Sequence, residues 1–563
     1  MKILLKGASV VNVFTDEVEK TNVLIENQKI IGVGDYTDSD ADTVENLDGK
    51  YICPGFIDGH IHIESTMLTP YEFSKAALPH GTTTIIADPH EIANVCGTAG
   101  IRYMLEASCD LPLTVYIMLP SCVPASSFDE SGANLTAEDL EPFYSNPRVL
   151  GLAEMMNYPG VIAHDREIYK KINSALSHGL TVDGHAPQLT GKALDTYIAA
   201  GIQSDHECSE FDEGLERVRK GQWLMIRQGT AARNLEALID IFDEPYSRRC
   251  LLVTDDRHPA DLVGEGHIDS IIRTAAGFGK SVITGIRMAT IQAAQRFGIN
   301  YVGAVAPGYR ADLLVLDDLD TIKIRDVYCG GKKTVDCGTV LNFKKPVVRE
   351  HLQKAVLNSF YTDTVDEFDF HIDAQSDKCR VIKTIPDQLL TDEVIEKIDF
   401  GKNNGIDIDR DILKIAVIER HMNTGHIGKG FISGIGLRRG AVASSVSHDS
   451  HNLIVIGTND RDIAAAANHI ISIGGGAAVV ENGHIIADMP LPVAGLMTNV
   501  PAEEIAEKNE RLLDALYGLG VPKNTAPLMT MAFVSLSVIP NLKLTTRGLV
   551  DVNRQEIVSL FID

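Results

Sequence analysis

Short apolar runs separated by polar turns dominate the first fifty residues of the chain. Val23–Glu26 and Ile30–Val33 flank the polar stretch 27–29, which is the pattern of a β-hairpin. A run of the same type, Leu313–Leu316, follows the turn residues 307–312 much later in the sequence. We therefore expect residues 1–54 and 300–345 to form one small β-sandwich domain, contributed by both flanks of a larger unit.

The pattern between these flanks changes to apolar strands that alternate with helical stretches. Counting Tyr51–Ile57, eight strand candidates are spaced about 20–35 residues apart, the rhythm of repeated βα units. The other seven are Thr83–Ala87, Leu113–Met118, Val149–Ala153, Leu180–Val182, Ile202–Ser204, Trp223–Ile226 and Leu251–Val253. Residues 55–299 are thus predicted to close into a parallel (β/α)8 barrel whose polar mouth lies at the carboxyl ends of the strands.

Beyond residue 345 the rhythm changes again, and residues 346–563 are predicted to form a separate α+β domain. The longest charge-free run in it, residues 463–480, contains Asn468, His469 and the glycines 474–476, which a membrane helix would not place there. We predict a buried helix that stops at those glycines and a strand after them. The fold class expected for the whole chain is α/β.

The composition is that of an ordinary globular protein, since 44% of the 563 residues are hydrophobic and 23% are charged. The net charge of −26 repels phosphate backbones and anionic lipids, so nucleic acids and membranes are poor partners, whereas small neutral or cationic substrates stay open. Nine scattered cysteines without a CxxC pair are typical of reduced thiols in a cytoplasmic protein. The N-terminus reaches Lys6 after three apolar residues, too short for the apolar core of a secretion signal.

Two histidines at the end of the first predicted barrel strand form the strongest local motif. His60 and His62 stand two positions apart, and side chains at i and i+2 of an extended strand point to the same side. Two imidazoles on one side suit a single metal ion. One such pair among 18 histidines can arise by chance, so a functional interpretation needs support from later strand ends.

Further residues of metal-ligating types follow four of the later strands. Glu154, His185, His206 and Asp255 each come just after an apolar strand, where residues of different barrel strands converge. A single residue of this kind is more often a cap or a hydrogen-bond partner, but six in one set indicate metal binding. Glu154 adds a carboxylate long enough to bridge, so two divalent ions per chain fit better than one. Mn, Fe(II) and Zn all accept mixed imidazole and carboxylate ligands.

This set of strand-end ligands resembles that of the amidohydrolase superfamily. Longer stretches are similar, more narrowly, to the bacterial, amidohydrolase-type adenine deaminase family. They are Pro54–Pro70, Ala87–Val95, Arg227–Asn234 and Val253–Asp261 in the barrel, and Gly434–Ile456 in the C-terminal part. Many amidohydrolases bridge their metals with a carboxylated lysine, but here Glu154, and no lysine, lies near the end of strand four.

The resemblance implies hydrolysis of adenine to hypoxanthine and ammonia, a step of purine salvage, by a homo-oligomer. A hydroxide held between the metals would attack C6 of the purine, and Asp255 would accept its proton and pass it towards the leaving amino group. Ring N1 also has to be protonated; Glu64, Glu91 and Asp256 stand nearest by motif, and the last two are also our candidates for substrate binding. His90, a further catalytic candidate, would orient the hydroxide or complete a ligand shell, or else make a structural hydrogen bond.

Two other polar clusters leave alternatives open. Arg227, Arg233 and Asn234 follow strand seven and would either contact the purine or fix their loop, with Arg233 as our candidate for contact. The segment His448–Asn452 would cover the barrel mouth of its own or a neighbouring subunit, or pack as a polar loop against glycine-rich backbone.

Two other functional classes have to be distinguished from deamination. Hydrolysis of a cyclic or acyl amide also attacks an sp² carbon, so the barrel ligands alone do not separate it from deamination. A non-catalytic scaffold would have lost ligands, whereas all six positions here keep metal-binding side chains.

Overall fold

The computed structural model describes residues 1–230, 232–385 and 389–562 of the chain. At its centre eight parallel strands curve into a barrel, which confirms the predicted fold class. Barrel strands one to eight are Phe56–Ile61, Thr82–Ala87, Thr114–Leu119, Val149–Met155, Thr181–Gly184, Ser204–Asp205, Trp223–Arg227 and Cys250–Val253.

Hydrogen bonds at two seams close the barrel. Strands one to five form one parallel sheet and strands six to eight another. At the first seam the Gln203 N–H donates to Val182 O at 3.0 Å. At the second, the Asp255 N–H donates to His60 O at 3.0 Å and the His62 N–H donates to Asp255 O at 3.4 Å. The end of strand eight therefore lies directly beside the histidine pair of strand one.

The predicted first strand, Tyr51–Ile57, is two strands in the structure. Tyr51–Pro54 pairs with Leu313–Asp318 in the N-terminal sheet, and Phe56–Ile61 begins the barrel. The chain changes sheet at Gly55, where a Cβ would lie 2.3 Å from Thr83 Oγ1, so a larger residue has no room. Hydrophobicity does not reveal the change because both strands are buried and read as one apolar run.

Apolar side chains fill the barrel interior, and helices follow its strands. Ile57, Ile86, Met118, Ala153 and Leu251 belong to one buried cluster inside it. The helices are Pro70–Ala77, His90–Ala107, Ala137–Leu140, Tyr158–Ile162, Arg166–Ser177, Gly191–Ala199, Phe211–Arg219, Pro259–Gly264, Ile268–Gly277, Val282–Arg287 and Ala293–Arg296. The packed interior leaves the mouth, at the strands' carboxyl ends, as the place for chemistry.

Both flanks of the barrel contribute to one hydrogen-bonded sheet of nine strands. The predicted hairpin is confirmed, because Glu17–Glu26 pairs antiparallel with Lys29–Gly34. In spatial order the sheet runs Thr339–Val340, Lys332–Asp336, Lys323–Cys329, Leu313–Asp318, Tyr51–Pro54, Lys2–Asn12, Glu17–Glu26 and Lys29–Gly34, with Thr43–Asn46 beside Lys2–Asn12.

The C-terminal part is built on a second large sheet. Its eight strands in spatial order are Thr391–Lys397, Lys378–Thr384, Ile427–Ser433, Leu413–Ile418, Leu453–Gly457, Ala441–Ser444, Gly476–Glu481 and His484–Pro490. A small sheet of Leu542–Thr545, Gly548–Asp551 and Glu556–Val558 and the helices Glu350–Leu357, Asp460–Ile473, Ala502–Gly518 and Pro527–Phe533 complete it. The predicted buried helix is confirmed, since Asp460–Ile473 ends at Gly474 with φ at 74° and Gly476–Glu481 follows.

Among the described residues, no helix is both long and apolar enough to cross a membrane. The predicted limits of the three domains, at residues 54/55, 299/300 and 345/346, stay predictions.

Candidate metal centre and substrate cavity

A cavity of about 520 Å³ lies at the carboxyl ends of the barrel strands. On the barrel side its lining includes His62, His90, Glu154, His185, His206 and Asp255. On the other side the C-terminal part contributes His448, Asp449 and a mainly apolar wall of Leu389, Leu390, Phe533, Leu536, Val538 and Ile539. Two distant stretches of sequence thus enclose one space, which is polar at the barrel and apolar opposite it.

The first histidine pair lies at the end of barrel strand one, where the spacing predicts it. The ring centroids of His60 and His62 are 4.8 Å apart, and both side chains are buried. The position before them has to be glycine, because a Cβ at Gly59 would lie 2.2 Å from Leu251 Cδ1 on strand eight. His62 Nδ1 donates to Asp88 O at 3.0 Å, so Nε2 of the neutral ring keeps the lone pair that a metal requires.

The carboxylate of Glu154 lies at the centre of the site. Its Oε1 is 3.3 Å from His62 Nε2, and its Oε2 is 2.8 Å from His185 Nδ1 and 3.2 Å from His206 Nε2. Burial by itself would raise the pKa of Glu154, but hydrogen bonds from the histidines hold that pKa well below its ordinary value. Each oxygen faces a different set of imidazoles, which is the placement that a bridging ligand needs.

Asp255 brings the sixth predicted ligand to the same place. Its Oδ1 is 2.9 Å from His62 Nε2 and 3.3 Å from His60 Nε2. Its φ of 58° lies in the left-handed region, which aspartate tolerates better than most residues, and the backbone bonds of the barrel seam hold it there. Burial opposes the charge, but Arg227 and the two histidines hold the pKa of Asp255 well below its ordinary value.

Glu207 lies against the second histidine pair, although the sequence patterns do not predict it as a site residue. Its Oε1 is 3.3 Å from both His185 Nδ1 and His206 Nε2. Arg227 Nη1 then joins Glu207 Oε1, at 2.6 Å, to Asp255 Oδ2, at 2.7 Å. One guanidinium therefore compensates two carboxylates, of which Asp255 is buried and Glu207 partly buried. An acidic residue directly after a strand-end histidine is the sequence feature that indicates Glu207.

His90 begins the helix after strand two and lies among three carboxylates. Its Nδ1 is 3.0 Å from Asp88 Oδ2 and 3.6 Å from Glu154 Oε1, and its Nε2 is 3.8 Å from Asp449 Oδ1. Burial opposes protonation, but Asp88 and Asp449 hold the pKa of His90 well above its ordinary value. The ring thus links the ligand cluster to a residue of the C-terminal part.

Two of the three acidic residues that are candidates for protonating ring N1 contact the same serine. The Ser65 hydroxyl is 2.9 Å from Glu91 Oε1 and 2.5 Å from Asp256 Oδ1. Burial and the neighbouring Glu91 raise the pKa of Glu64 to about 8, and burial also raises the pKa of Glu91. Glu91 and Asp256 line the cavity, whereas Glu64 accepts a hydrogen bond from the Ile92 N–H at 3.2 Å. The first two are the candidates that the structure brings to the cavity.

Arg233, by contrast, lies away from the cavity. Gln228 and Arg233 form an antiparallel bridge that turns the chain back after strand seven. The Arg233 guanidinium is 3.3 Å from Glu265 Oε1, and its side chain is 44% exposed. Asn234, the next residue, lines the cavity. Of the two arginines, the structure therefore brings Arg227 and not Arg233 to the site, since the chain turns back between them.

The segment His448–Asn452 covers the barrel mouth of its own chain, which was one of the open alternatives. His448 Nδ1 is 3.5 Å from Glu91 Oε1, and the His448 ring stacks on Phe533 with centroids 4.4 Å apart. Asn452 Nδ2 donates to Glu130 O at 2.7 Å, which ties the segment to the barrel loop after strand three.

Known families match both parts of the chain. A model of the amidohydrolase family matches residues 51–337. Together with the buried imidazoles and carboxylates at the barrel mouth, this match defines the chain as a metal-dependent hydrolase of the amidohydrolase family. A second model, the adenine deaminase C-terminal domain, matches residues 388–556.

Relatives align along nearly the whole chain. An adenine deaminase of Desulfatibacillum aliphaticivorans is 45% identical over 99% of this chain and 97% of its own length. Adenine deaminase 2 of Carboxydothermus hydrogenoformans is 46% identical over 99% of this chain and 96% of its own. A solved dihydropyrimidinase from Brevibacillus agri, with 16% identity and a TM-score of 0.48, covers 61% of this chain and 96% of its own. Within the amidohydrolases, the chain belongs to the adenine deaminase family.

Proposed function

We propose that this protein hydrolyses adenine to hypoxanthine and ammonia. The observation that carries the proposal is the convergence of six candidate metal ligands, Glu154 and five others, at a barrel mouth that the C-terminal part covers. That C-terminal part matches the domain described for adenine deaminases, so the resemblance extends beyond the barrel. We also propose that the reaction serves purine salvage and that the enzyme is a homo-oligomer, as the family resemblance implies.

The donor set fits two divalent ions. His60, His62 and Asp255 form one buried group, His185 and His206 lie on the other side of Glu154, and each offers nitrogen or oxygen atoms. His60 Nε2 is buried and has no hydrogen-bond partner among the described residues, which fits a nitrogen that would ligate a metal. Mn, Fe(II) and Zn each accept this mixture of ligands. Bound there, such ions would lower the pKa of a water molecule and make it a nucleophile near neutral pH.

The chain's own residues then have separate roles. Asp255 accepts a proton from the attacking water, and the guanidinium of Arg227, 2.7 Å from its Oδ2, keeps it ionised for that purpose. Glu91 and Asp256 hold the purine and protonate its ring nitrogen, a role supported by their position in the cavity lining and their shared contact with the Ser65 hydroxyl. His90, between Asp88 and Asp449, orients the water or the leaving amino group.

The other functional classes are less well supported. The barrel ligands suit hydrolysis of a cyclic amide equally well, but the match of residues 388–556 favours the deaminase. A scaffold without catalysis does not explain six candidate ligand side chains of which all but the partly buried His185 are buried.

The test is adenine turnover on protein loaded in turn with Mn, Fe(II) and Zn. Loss of ultraviolet absorbance near the adenine maximum and release of ammonia are followed in the same samples. Dihydrouracil is the cyclic-amide control, and its ring opening, which releases no ammonia, is followed by chromatography. Equal amounts of hypoxanthine and ammonia are expected. Turnover of dihydrouracil without turnover of adenine would overturn the proposal in favour of the amide hydrolase. A folded protein that binds no metal and turns over neither compound would favour the scaffold.

A further inference from the structure

The apolar wall of the cavity is formed by two separate segments of the C-terminal part. Leu389 and Leu390 come from one, and Phe533, Leu536 and Ile539 from the other. An aromatic base gains much of its binding energy from such surfaces, provided that they are held in place. The distance between the two segments therefore determines how closely a planar base can be enclosed.

A buried lysine connects these two segments. Lys543, on the strand Leu542–Thr545, has no exposed surface, and its Nζ donates to Leu389 O at 3.0 Å and to Phe533 O at 3.1 Å. Among the described residues, no carboxylate forms a salt bridge with it, and burial lowers its pKa to about 7. A lysine at such a position costs folding energy that an apolar residue would not cost.

Neighbouring backbone contacts place the two segments side by side. The Thr391 N–H donates to Pro540 O at 3.2 Å, and the Asn541 N–H donates to Thr391 O at 3.1 Å. Both contacts lie at one end of the wall. Lys543 adds a direct connection between Leu389 and Phe533. Its single Nζ donates to the backbone carbonyls of both residues, which belong to different segments.

We propose that Lys543 is a positioning residue for the substrate, because it fixes the two halves of the apolar wall against which the base packs. The inference rests on the proposed function for its choice of substrate. Since the wall contacts the bound base and not the reacting atoms, its loss weakens substrate and transition state alike. The result is a higher KM with little change in kcat.

The chain offers a matched control in Lys414. This second lysine also has no exposed surface, and its Nζ donates to Phe370 O at 2.9 Å and to Asp460 Oδ1 at 2.5 Å. Neither partner lines the cavity. Replacing each lysine by methionine keeps most of the side-chain volume and removes the donors. The two variants therefore differ in which parts of the chain lose a hydrogen bond: the cavity wall in Lys543→Met and residues away from the cavity in Lys414→Met.

The experiment compares wild type, Lys543→Met and Lys414→Met by adenine kinetics and by hydrogen–deuterium exchange. We expect Lys543→Met to raise KM for adenine about tenfold with kcat within about twofold, and Lys414→Met to leave KM unchanged. Exchange in the segments 389–391 and 533–541 should rise only in Lys543→Met. If Lys543→Met does not fold, Lys543→Gln is measured instead, with the same changes expected, because the shorter glutamine cannot reach both carbonyls.

Unchanged KM and unchanged exchange in a folded Lys543 variant would overturn the positioning role. A rise of KM in both methionine variants would also overturn it, because the effect would then be a general loss of stability. A wild-type protein without adenine turnover would defeat the proposed function, and the exchange data would still decide whether Lys543 holds the wall.

Discussion

At the scale of single residues, the site depends on buried charges that compensate one another. Glu154 faces three histidines, and Arg227 lies between Asp255 and Glu207. Removing one partner leaves the other charge buried and unpaired, which costs about 3–5 kcal/mol in typical proteins. Substitutions at these positions therefore need to preserve the shape of the side chain, so that an effect on catalysis can be distinguished from an effect on folding.

Asp255→Asn preserves the shape and removes the base. We expect kcat/KM for adenine to fall by about 10²–10⁴-fold, because an amide cannot accept the proton. Circular dichroism and metal analysis check that the variant is folded and loaded. Asp256→Asn is the matched control at the next position and should lose less. Near-normal turnover in Asp255→Asn would transfer the role of base to another carboxylate.

Glu154→Gln tests the bridging position. The amide keeps the side-chain volume but loses the charge and one oxygen donor, so we expect metal content, measured by elemental analysis, to fall from two ions per chain to about one or fewer. Asp129→Asn is the control, because Asp129 is also buried but bonds to Ser126 and Ser537 instead of histidines. Two ions retained in Glu154→Gln would contradict the bridge.

At the scale of elements, the loop after strand three holds the C-terminal part against the barrel. Asp129 accepts from the Ser537 hydroxyl at 2.8 Å, and Glu130 Oε2 accepts from the Thr546 hydroxyl at 2.5 Å. His426 Nδ1 is 2.9 Å from Glu130 Oε1. The loop therefore contacts the segment Phe533–Asn541 and its neighbours from outside the cavity, and barrel and wall are connected through it.

Glu130→Gln should show how much the contacts of Glu130 contribute to the stability of the folded protein. Burial alone would raise the pKa of Glu130, but Thr546, His426 and Arg547 hold it below its ordinary value. The folded pKa is lowered, so the stabilisation is present above the unfolded pKa and is lost as pH falls through the folded pKa. We expect wild type to melt about 1–2 °C above the variant near neutral pH. A melting difference that persists undiminished in acid would contradict the electrostatic role.

At the scale of the whole molecule, the site is where the barrel meets the C-terminal part. Carboxylates of both parts, among them Glu154, Asp255 and Asp449, are buried around one space. Like charges in such a space repel, and divalent ions would offset that repulsion. Metal binding and the stability of the assembled chain should therefore be coupled.

Removal of metal tests this coupling. Chelation followed by dialysis should lower the melting temperature by about 5 °C or more, because a ligand that binds only the native state stabilises it. Addition of Mn, Fe(II) or Zn should restore the melting temperature, as measured by calorimetry. Metal-free protein with an unchanged melting temperature would show that the ions contribute nothing to folding.

Local sequence patterns suffice to predict the barrel strands and the six side chains that meet at their ends. Both follow from local rules: buried parallel strands are apolar runs, and residues just past them meet at one edge. The same rules fail where a pattern is continuous across a change of sheet, as at Gly55, and where the chain turns back after a strand, as between Gln228 and Arg233.

The surroundings of those six side chains become visible only in the folded chain. Glu207 contacts Arg227 and two histidines. Asp449 and Phe533 line the barrel mouth from the far end of the chain, and Lys543 connects two segments of the apolar wall. Contacts between such distant residues depend on how the C-terminal part packs over the barrel mouth. The periodicity of hydrophobic residues along the chain does not predict that packing. The chemistry of this protein was thus readable from local patterns, whereas the enclosure of its substrate depends on long-range packing.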